Sequence, residues 1–384
     1  MIIGIDGNEA NIEKRVGIGR YAFEILRRFA EKAETSKKFK FIVYLKSKPL
    51  FHMPIISENW KYRILKPGKL WTQWRLPLDL FTSGDMPDVF FTPSHYAPRI
   101  SPVPTVVSVM DLSYIYFPEL FEKNDLYQLQ NWTSYSVRRA KKVITISNSS
   151  KNDIIKEYKL NPDKIVVTYL STSRDMGKAN LTNQQMNNIL KKYNVSTNFI
   201  LFVGTLQPRK NIVRLIEAFS IVLKNSQIDA KKVEKLHLVI IGKKGWLYDE
   251  ILSAPKEYDV ENKVKFLENV DDTDLEVFYK SARCFILPSL YEGFGLPVLE
   301  AMQGECPVIT SNVSSLPEAG GDAVLYVDPE DPADIAQKIE TLITDEKLRK
   351  ELIAKGRRQI KKFSWDRAAL ETLKVLEEVG GRNV

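Results

Sequence analysis

Two glutamates eight residues apart, Glu292 and Glu300, bracket a Gly-Phe-Gly-Leu-Pro segment in the stretch LYEGFGLPVLEAM, residues 290–302. The apolar run before it, 284–288, has the length of a buried strand, so 289–296 reads as a strand-to-helix loop. Pro297 suits the first helical position, where its missing N–H costs no hydrogen bond, and Gly304 supplies a stop. Gly293 and Gly295 let another group approach the backbone, and the open amides of a helix start suit a phosphate. Glu300, one turn inside, is placed to accept hydrogen bonds from sugar hydroxyls. The plainer alternative is a surface helix with a carboxylate at each end. The coincidence of spacing, glycines and proline speaks against it.

A second candidate is VGTLQPRKNIVRLIEAF, 203–219, where a strand ends at Gly204 and Thr205 and a loop then offers Arg209 and Lys210. Adjacent cations just before a helix start oppose its dipole unless an anion joins them. A solvated basic loop is the alternative. The third is NIEKRVGIGR, 11–20, with Gly17 and Gly19. It fails as a dinucleotide fingerprint. Its glycines come eleven residues after the first strand, no third glycine follows, and no acidic residue closes the second strand at Tyr44-Leu45-Lys46. A nicotinamide-dependent dehydrogenase is thereby disfavoured; one wall of a phosphate pocket, or a simple turn, remains.

These loops need a scaffold, and the sequence supplies one. Short β-branched and aromatic runs at 2–6, 41–45, 62–65, 88–92, 105–110, 143–146 and 165–169 alternate with helical patterns such as 20–34 and 126–140. A polar stretch, 171–196, with a short helical piece reads as a linker. A second series then runs through 199–204, 236–242, 263–267, 284–288, 307–310 and 324–327, and 364–379 is a closing helix. The expected class is α/β, with two successive doubly wound, Rossmann-like domains and a ligand crevice at the carboxyl ends of the strands.

Composition narrows the function. A chain of 384 residues with 44% hydrophobic and 27% charged residues is a globular protein large enough for two domains. No apolar run reaches membrane-spanning length, and residues 2–6 read as a buried strand rather than part of a signal peptide. Cys284 and Cys306 make no disulfide framework and suit a reducing cytosol; His52, His95 and His237 make no zinc cluster. The net charge of +8 is uneven: 27 Lys/Arg against 17 Asp/Glu (+10) up to Arg174, then 29 against 31 (−2). The basic half is either a solvated lysine-rich face or a surface for anionic lipid or an acidic substrate. Nucleic acid is not an expected partner.

Taken together, these residues resemble the glycosyltransferase family 4 group of retaining nucleotide-sugar transferases, of glycosyltransferase-B (GT-B) fold. EGFGLPVLEAM is similar to that group's E-x7-E motif, and CPVITSNVSSLPEAGGDAVLYVDPED to its continuation. VGTLQPRKN and IGKKGWLYDEI look like loops of its mannosyltransferase-like branch, and DLSYIYFPE and FSWDRAALETL are similar too. The likeness spans nearly the whole chain and is strongest over 199–329.

The resemblance implies an acceptor-side domain, 1–174, and a nucleotide-sugar domain, 195–365, facing it across a cleft, with a last helix of about 366–384 returning to the first. It implies that Glu292 holds hydroxyls of the donor hexose near the reacting centre. The amides of Gly293, Phe294, Gly295 and Leu296 would approach the sugar and diphosphate, and Glu300 would bind the ribose. Arg209 and Lys210, with Gly204 and Thr205 beside them, would neutralise the leaving diphosphate, and Gly17 and Gly19 would line the opposite wall. The implied donor is a UDP-, GDP- or ADP-sugar with no further cofactor and no metal. The acceptor is a saccharide or lipid-linked saccharide, and the place of action is cytoplasmic, at the inner membrane face. Two positions depart from the pattern. Thr205 stands where many relatives carry arginine, so Arg209 is the replacement cation. Met110-Asp111 stands where relatives often have His-Asp; methionine donates no hydrogen bond, leaving Asp111 as the catalytic candidate there. The other readings are an inert nucleotide-sugar-binding protein or partner subunit and, among enzymes, a phosphorylase or nucleotide-sugar epimerase. A pyridoxal-type phosphorylase would want a cofactor lysine and a far longer chain, which argues against that reading. Trp71 and Trp74 are either acceptor-lipid contacts or packing residues.

Overall fold

The computed structural model describes residues 1–15, 17–172, 181–225 and 233–381. It separates into two compact units: 1–170 together with 364–384, and 171–363.

In the first unit seven strands form one sheet: β1 (Ile2–Asp6), β2 (Lys40–Leu45), β3 (Trp60–Ile64), β4 (Val89–Thr92), β5 (Thr105–Ser108), β6 (Lys142–Thr145) and β7 (Ile165–Val167). Their order is β3-β2-β1-β4-β5-β6-β7 and every pairing is parallel. Strands such as β4 and β5 are buried throughout, which is why they read as continuous apolar runs rather than alternating ones. The helix Ile18–Thr35 lays Tyr21, Ile25, Leu26 and Phe29 on the sheet. The helix Trp365–Gly380 belongs to this unit, and Asp366 accepts a hydrogen bond from Arg28 at 2.6 Å.

The second unit repeats the plan with six strands: β8 (Phe199–Val203), β9 (His237–Ile241), β10 (Val264–Leu267), β11 (Cys284–Leu287), β12 (Val308–Ser311) and β13 (Val324–Val327). The order is β10-β9-β8-β11-β12-β13, again all parallel. The α/β, doubly wound class expected from the sequence is therefore found in both units. In each sheet the order reverses beside the first strand, between β1 and β4 and between β8 and β11. Ligands of open α/β sheets bind outside the carboxyl ends at such points.

Several boundaries differ from the sequence reading. β5 stops at Ser108, so Met110 and Asp111 lie in the loop beyond it. The first helix begins at Ile18, with Gly17 as its N-cap and Gly19 inside its first turn, rather than at Tyr21. The helix after β11 is Leu296–Gln303, which makes Pro297 its second residue; the missing N–H is as harmless there as at the first. The segment 171–196 does hold a helix, Asn183–Lys192, opened by a capping box of Thr182 and Gln185; 173–180 of it fall outside the described residues. Among the described residues no helix is long and apolar enough to cross a membrane. Cys284 and Cys306 are free and buried, and burial pushes the Cys284 thiol up to about 12.

The turns after β8 and β9 approach so closely that a Cβ on Gly242 would lie 1.8 Å from the Gly204 carbonyl oxygen. No side chain fits there without moving backbone. Gly242→Ala should therefore cost about 3 kcal/mol or abolish folding of the second unit. Gly84→Ala is the control, since nothing lies within 4 Å of its Cβ position. Its stability should stay within about 0.5 kcal/mol of wild type. Denaturant melts of the two variants check this.

Candidate active site

Three loops at the carboxyl edge of the second sheet are tied together before any charge is considered. Asn211, left-handed at φ 59°, caps the helix Ile212–Lys224 with its backbone. Asparagine tolerates that conformation better than most residues. Its side-chain amide donates to the carbonyls of Pro288 (3.0 Å) and Pro329 (2.6 Å), and so pins the loop after β8 to the loops after β11 and β13. The Leu290 amide donates to the Arg209 carbonyl at 2.9 Å, adding a backbone tie.

Glu292 sits where these loops meet and is almost fully buried. Lys210 Nζ donates to its Oε1 at 2.5 Å, and Ser289 Oγ donates to the same oxygen at 2.7 Å. Arg209 Nη1 reaches Oε2 at 3.3 Å and also donates to the Tyr291 carbonyl. The backbone is held as firmly: the Glu292 amide donates to Ser314 Oγ (2.9 Å), and Ser315 Oγ donates to the Glu292 carbonyl (2.8 Å). Burial would raise the carboxyl pKa. The charges of Lys210 and Arg209, with the hydrogen bonds from Lys210 and Ser289, outweigh burial and bring it down to about 2. The anion that two adjacent cations require is thus supplied from within the chain, by Glu292. Two cations against one carboxylate leave this cluster with a net charge of +1.

Gly295 begins the next helix with φ 94°, and a Cβ there would also lie 2.7 Å from Leu316 Cδ2. L side chains rarely adopt such a conformation. Phe294 is buried edge-on against Phe363, with ring centroids 5.4 Å apart. This packing fixes the path of 293–296, and with it the first amides of the helix. Glu300 is buried one turn in, where its Oε2 accepts a hydrogen bond from the Tyr279 hydroxyl at 3.2 Å. Thr205 packs its methyl group close to Gly245, and Gly204 donates to the Ile241 carbonyl at 2.9 Å. Among the described residues no group of three or more His, Cys, Asp or Glu is placed to hold a metal ion.

The remaining sequence candidates lie in the first unit. Gly17 caps the first helix at φ 49°, and Gly19 approaches the Glu9 carbonyl so closely that a Cβ would lie 2.9 Å from it. Met110 is buried, and its carbonyl accepts from Ser150 Oγ at 3.0 Å. Asp111 Oδ1 accepts from the Ser113 amide at 2.9 Å. So Arg209, Lys210 and Glu292 come together, Glu300 and 293–296 follow on the adjoining helix, and Gly17, Gly19 and Asp111 belong to a separate sheet edge. The serines that fix Glu292 and the side-chain role of Asn211 escaped the sequence reading, because these contacts show only once the loops are brought together.

Comparison with known proteins adds a family and a fold. Residues 186–359 match the family described as glycosyl transferases group 1. O-antigen chain mannosyltransferase B of Escherichia coli is 31% identical over 381 residues, covering 93% of this chain and 94% of that protein. The serotype-specific mannosyltransferase WbdA of E. coli is 30% identical over 237 residues, which is 60% of this chain and 28% of that longer protein. Among solved structures, Anabaena HepE in complex with UDP-glucose superposes with a TM-score of 0.73 at 18% identity, covering 98% of this chain and 99% of that one.

The Glu292 shift has a pH signature. Its folded pKa lies below the unfolded value of 4.5, so the stability it contributes is full above about pH 4.5 and lost as pH falls through about 2. Wild type should exceed Glu292→Gln in unfolding free energy by about 3 kcal/mol at pH 7, and the gap should close between pH 4.5 and 2. Chemical denaturation of both proteins across that range is the check.

Proposed function

We propose, from the premise that this chain belongs to the glycosyl transferases group 1 family and is a glycosyltransferase of GT-B fold, that it moves a hexose, with mannose favoured, from a nucleotide-diphosphate sugar to a saccharide acceptor with retention. The observation that carries the reading is the buried Lys210–Glu292–Arg209 cluster beside the start of the helix Leu296–Gln303, which has no side-chain cap. The preference for mannose rests on the near-full-length likeness to an O-antigen mannosyltransferase, which also favours polysaccharide biosynthesis; a lipid-linked saccharide as acceptor is part of the same proposal.

In this reading EGFGLPVLE is the E-x7-E motif of family 4. Arg209, Lys210 and the amides of 293–296, with Gly204 and Thr205 alongside, receive the diphosphate, so positive charge waits where negative charge develops. Glu292, held by Ser289 and by backbone ties, holds hexose hydroxyls, and Glu300 takes the ribose hydroxyls. Gly17 and Gly19 contribute to donor binding from the first unit, and Asp111 is the catalytic candidate there. The bond from the anomeric carbon to the diphosphate oxygen breaks while the acceptor oxygen bonds to the same face. The acceptor proton passes to the leaving phosphate oxygen, and the nucleoside diphosphate departs. No metal ion or further cofactor is assigned to this step, because Arg209 and Lys210 supply the charge.

The reading extends to peripheral membrane association from the cytoplasmic side. Trp71, Leu76 and Leu80 of the helical segments Trp71–Arg75 and Leu76–Thr82 pack into the core with Tyr44 and Phe90. Leu70, Trp74, Leu78 and Phe81, spaced four, four and three apart, are each more than half exposed, Trp74 at 73%. Trp74, Leu78 and Phe81 have the spacing of one helix face, and Leu70 precedes the helical segments as their left-handed N-cap. In the flanking stretch 61–75 Arg63 pairs with Asp79 and Asp85 and Arg75 lies 3.9 Å from Asp79, so Lys61, Lys66 and Lys69 supply the local positive charge. An apolar stripe bordered by cations favours an anionic bilayer.

Two outcomes are expected. Lys210→Ala should keep its circular dichroism and lose roughly 100- to 1000-fold in turnover, with donors chosen by a thermal-shift screen of UDP-, GDP- and ADP-sugars. Unchanged turnover sinks the assignment. The triple substitution Trp74→Ser, Leu78→Ser, Phe81→Ser should abolish cosedimentation with phosphatidylglycerol vesicles while leaving nucleotide-sugar binding intact. Equal sedimentation of both proteins removes the membrane reading.

A further inference from the structure

His95 lies in the loop after β4, beside the point where the order of the first sheet reverses, and Asp111 lies in the loop after the neighbouring strand β5. The imidazole is half-buried, with its ring edge-on to Tyr114 (centroids 6.1 Å apart, 79° between planes) and tilted to Tyr96 (6.3 Å, 52°). Its Nδ1 is buried and meets no hydrogen-bond partner among the described residues. That leaves Nε2 as the nitrogen able to meet a ligand.

The proton can be placed by elimination. A neutral imidazole has one N–H and one lone pair. An N–H buried without an acceptor is rarer and costlier than an unfilled lone pair, so the proton belongs on Nε2 and the lone pair on Nδ1. Charging the ring would put an N–H on Nδ1 as well, again without a partner. Burial accordingly lowers the His95 pKa, against the opposing pull of Asp111. A ring in this state is a poor base but a ready donor. Its neighbour Asp111 is an acceptor when ionised, and buried Met110 offers neither function.

We propose that His95 is a substrate-binding residue that presents Nε2–H to a sugar hydroxyl oxygen, while Asp111 accepts that hydroxyl's proton in a hydrogen bond. A hydroxyl both donates and accepts, so it satisfies the pair together. A phosphate would accept from His95 but meet the Asp111 carboxylate as a like charge. Asp6 at the end of β1 and Glu9 in the loop after it add to the acidic side of this edge. The proposal rests on the glycosyl-transfer reading for its ligand class, and its first test does not require turnover.

The chain has three histidines, so long-range proton–nitrogen NMR on labelled protein resolves each ring, with His95→Gln assigning the signal. The neutral Nε2–H tautomer is expected from pH 6 to 8; an Nδ1–H tautomer, or an imidazolium at pH 7, overturns the proposal. Titration with methyl α-mannoside should shift the His95 Nε2 resonance, and inorganic pyrophosphate should not. A shift with pyrophosphate alone, or with neither, also overturns it. In steady-state transfer His95→Phe, which keeps a ring and loses the donor, should lower kcat/KM roughly 10- to 100-fold, and His95→Gln, which keeps an N–H, should recover part of it. Equal rates for all three proteins reject the role. Absence of any transfer with the NMR results intact rejects the proposed function alone.

Discussion

A carboxylate buried like that of Glu292 keeps its charge only while cations stay within reach, because desolvation alone would protonate it. Lys210 and Arg209 meet that need and are held in turn: without Glu292, two neighbouring cations at a helix start would repel each other and the helix dipole. The three charges therefore specify one another's positions. Removing one member of such a cluster is costly because it strands a buried charge, whereas replacing all three by well-packed apolar residues is often neutral, since desolvating the ions offsets much of their attraction. Retaining charge there makes sense for a site that must meet an anion.

The scaffold around the cluster shows how that geometry is kept. Asn211 joins three loops with one amide, Ser289 holds the Glu292 side chain from within its own loop, and Ser314 and Ser315 hold its backbone from the loop after β12. These are short hydrogen bonds, each of modest net value, about 1 kcal/mol. Their effect is positional: loops that would otherwise move independently share one arrangement, and the arrangement is set before a ligand arrives.

The strands were legible in the sequence because parallel strands covered on both faces read as unbroken apolar runs, and the glutamate pair was legible because its spacing, glycines and proline fall within one local stretch. What escaped was non-local or ambiguous. His95 carries no spacing signal; its meaning comes from Asp111 after the next strand and from a ring nitrogen with no partner among the described residues. The anion for Arg209 and Lys210 lies more than eighty residues away in sequence, so a lone basic loop seemed to need a ligand. Residues 70–82 are apolar on most faces, and no periodicity distinguishes buried Trp71 from exposed Trp74; packing on Tyr44 and Phe90 decides it.

The two units share a strand plan but differ in how their carboxyl edges handle charge. The second concentrates paired, desolvated ions with a positive remainder, which suits an anionic group that changes charge during reaction. The first offers a neutral imidazole beside carboxylates, with its proton directed outward by burial of the other nitrogen, which suits a hydroxyl that must be oriented without being ionised. A fold built twice can divide work in this way because loop residues beyond the strands set the electrostatics, while the sheet beneath only sets where those loops begin. On this view Met110 is no defect in the first unit: the donor function has moved one strand over, to a loop where burial on one side fixes the tautomer.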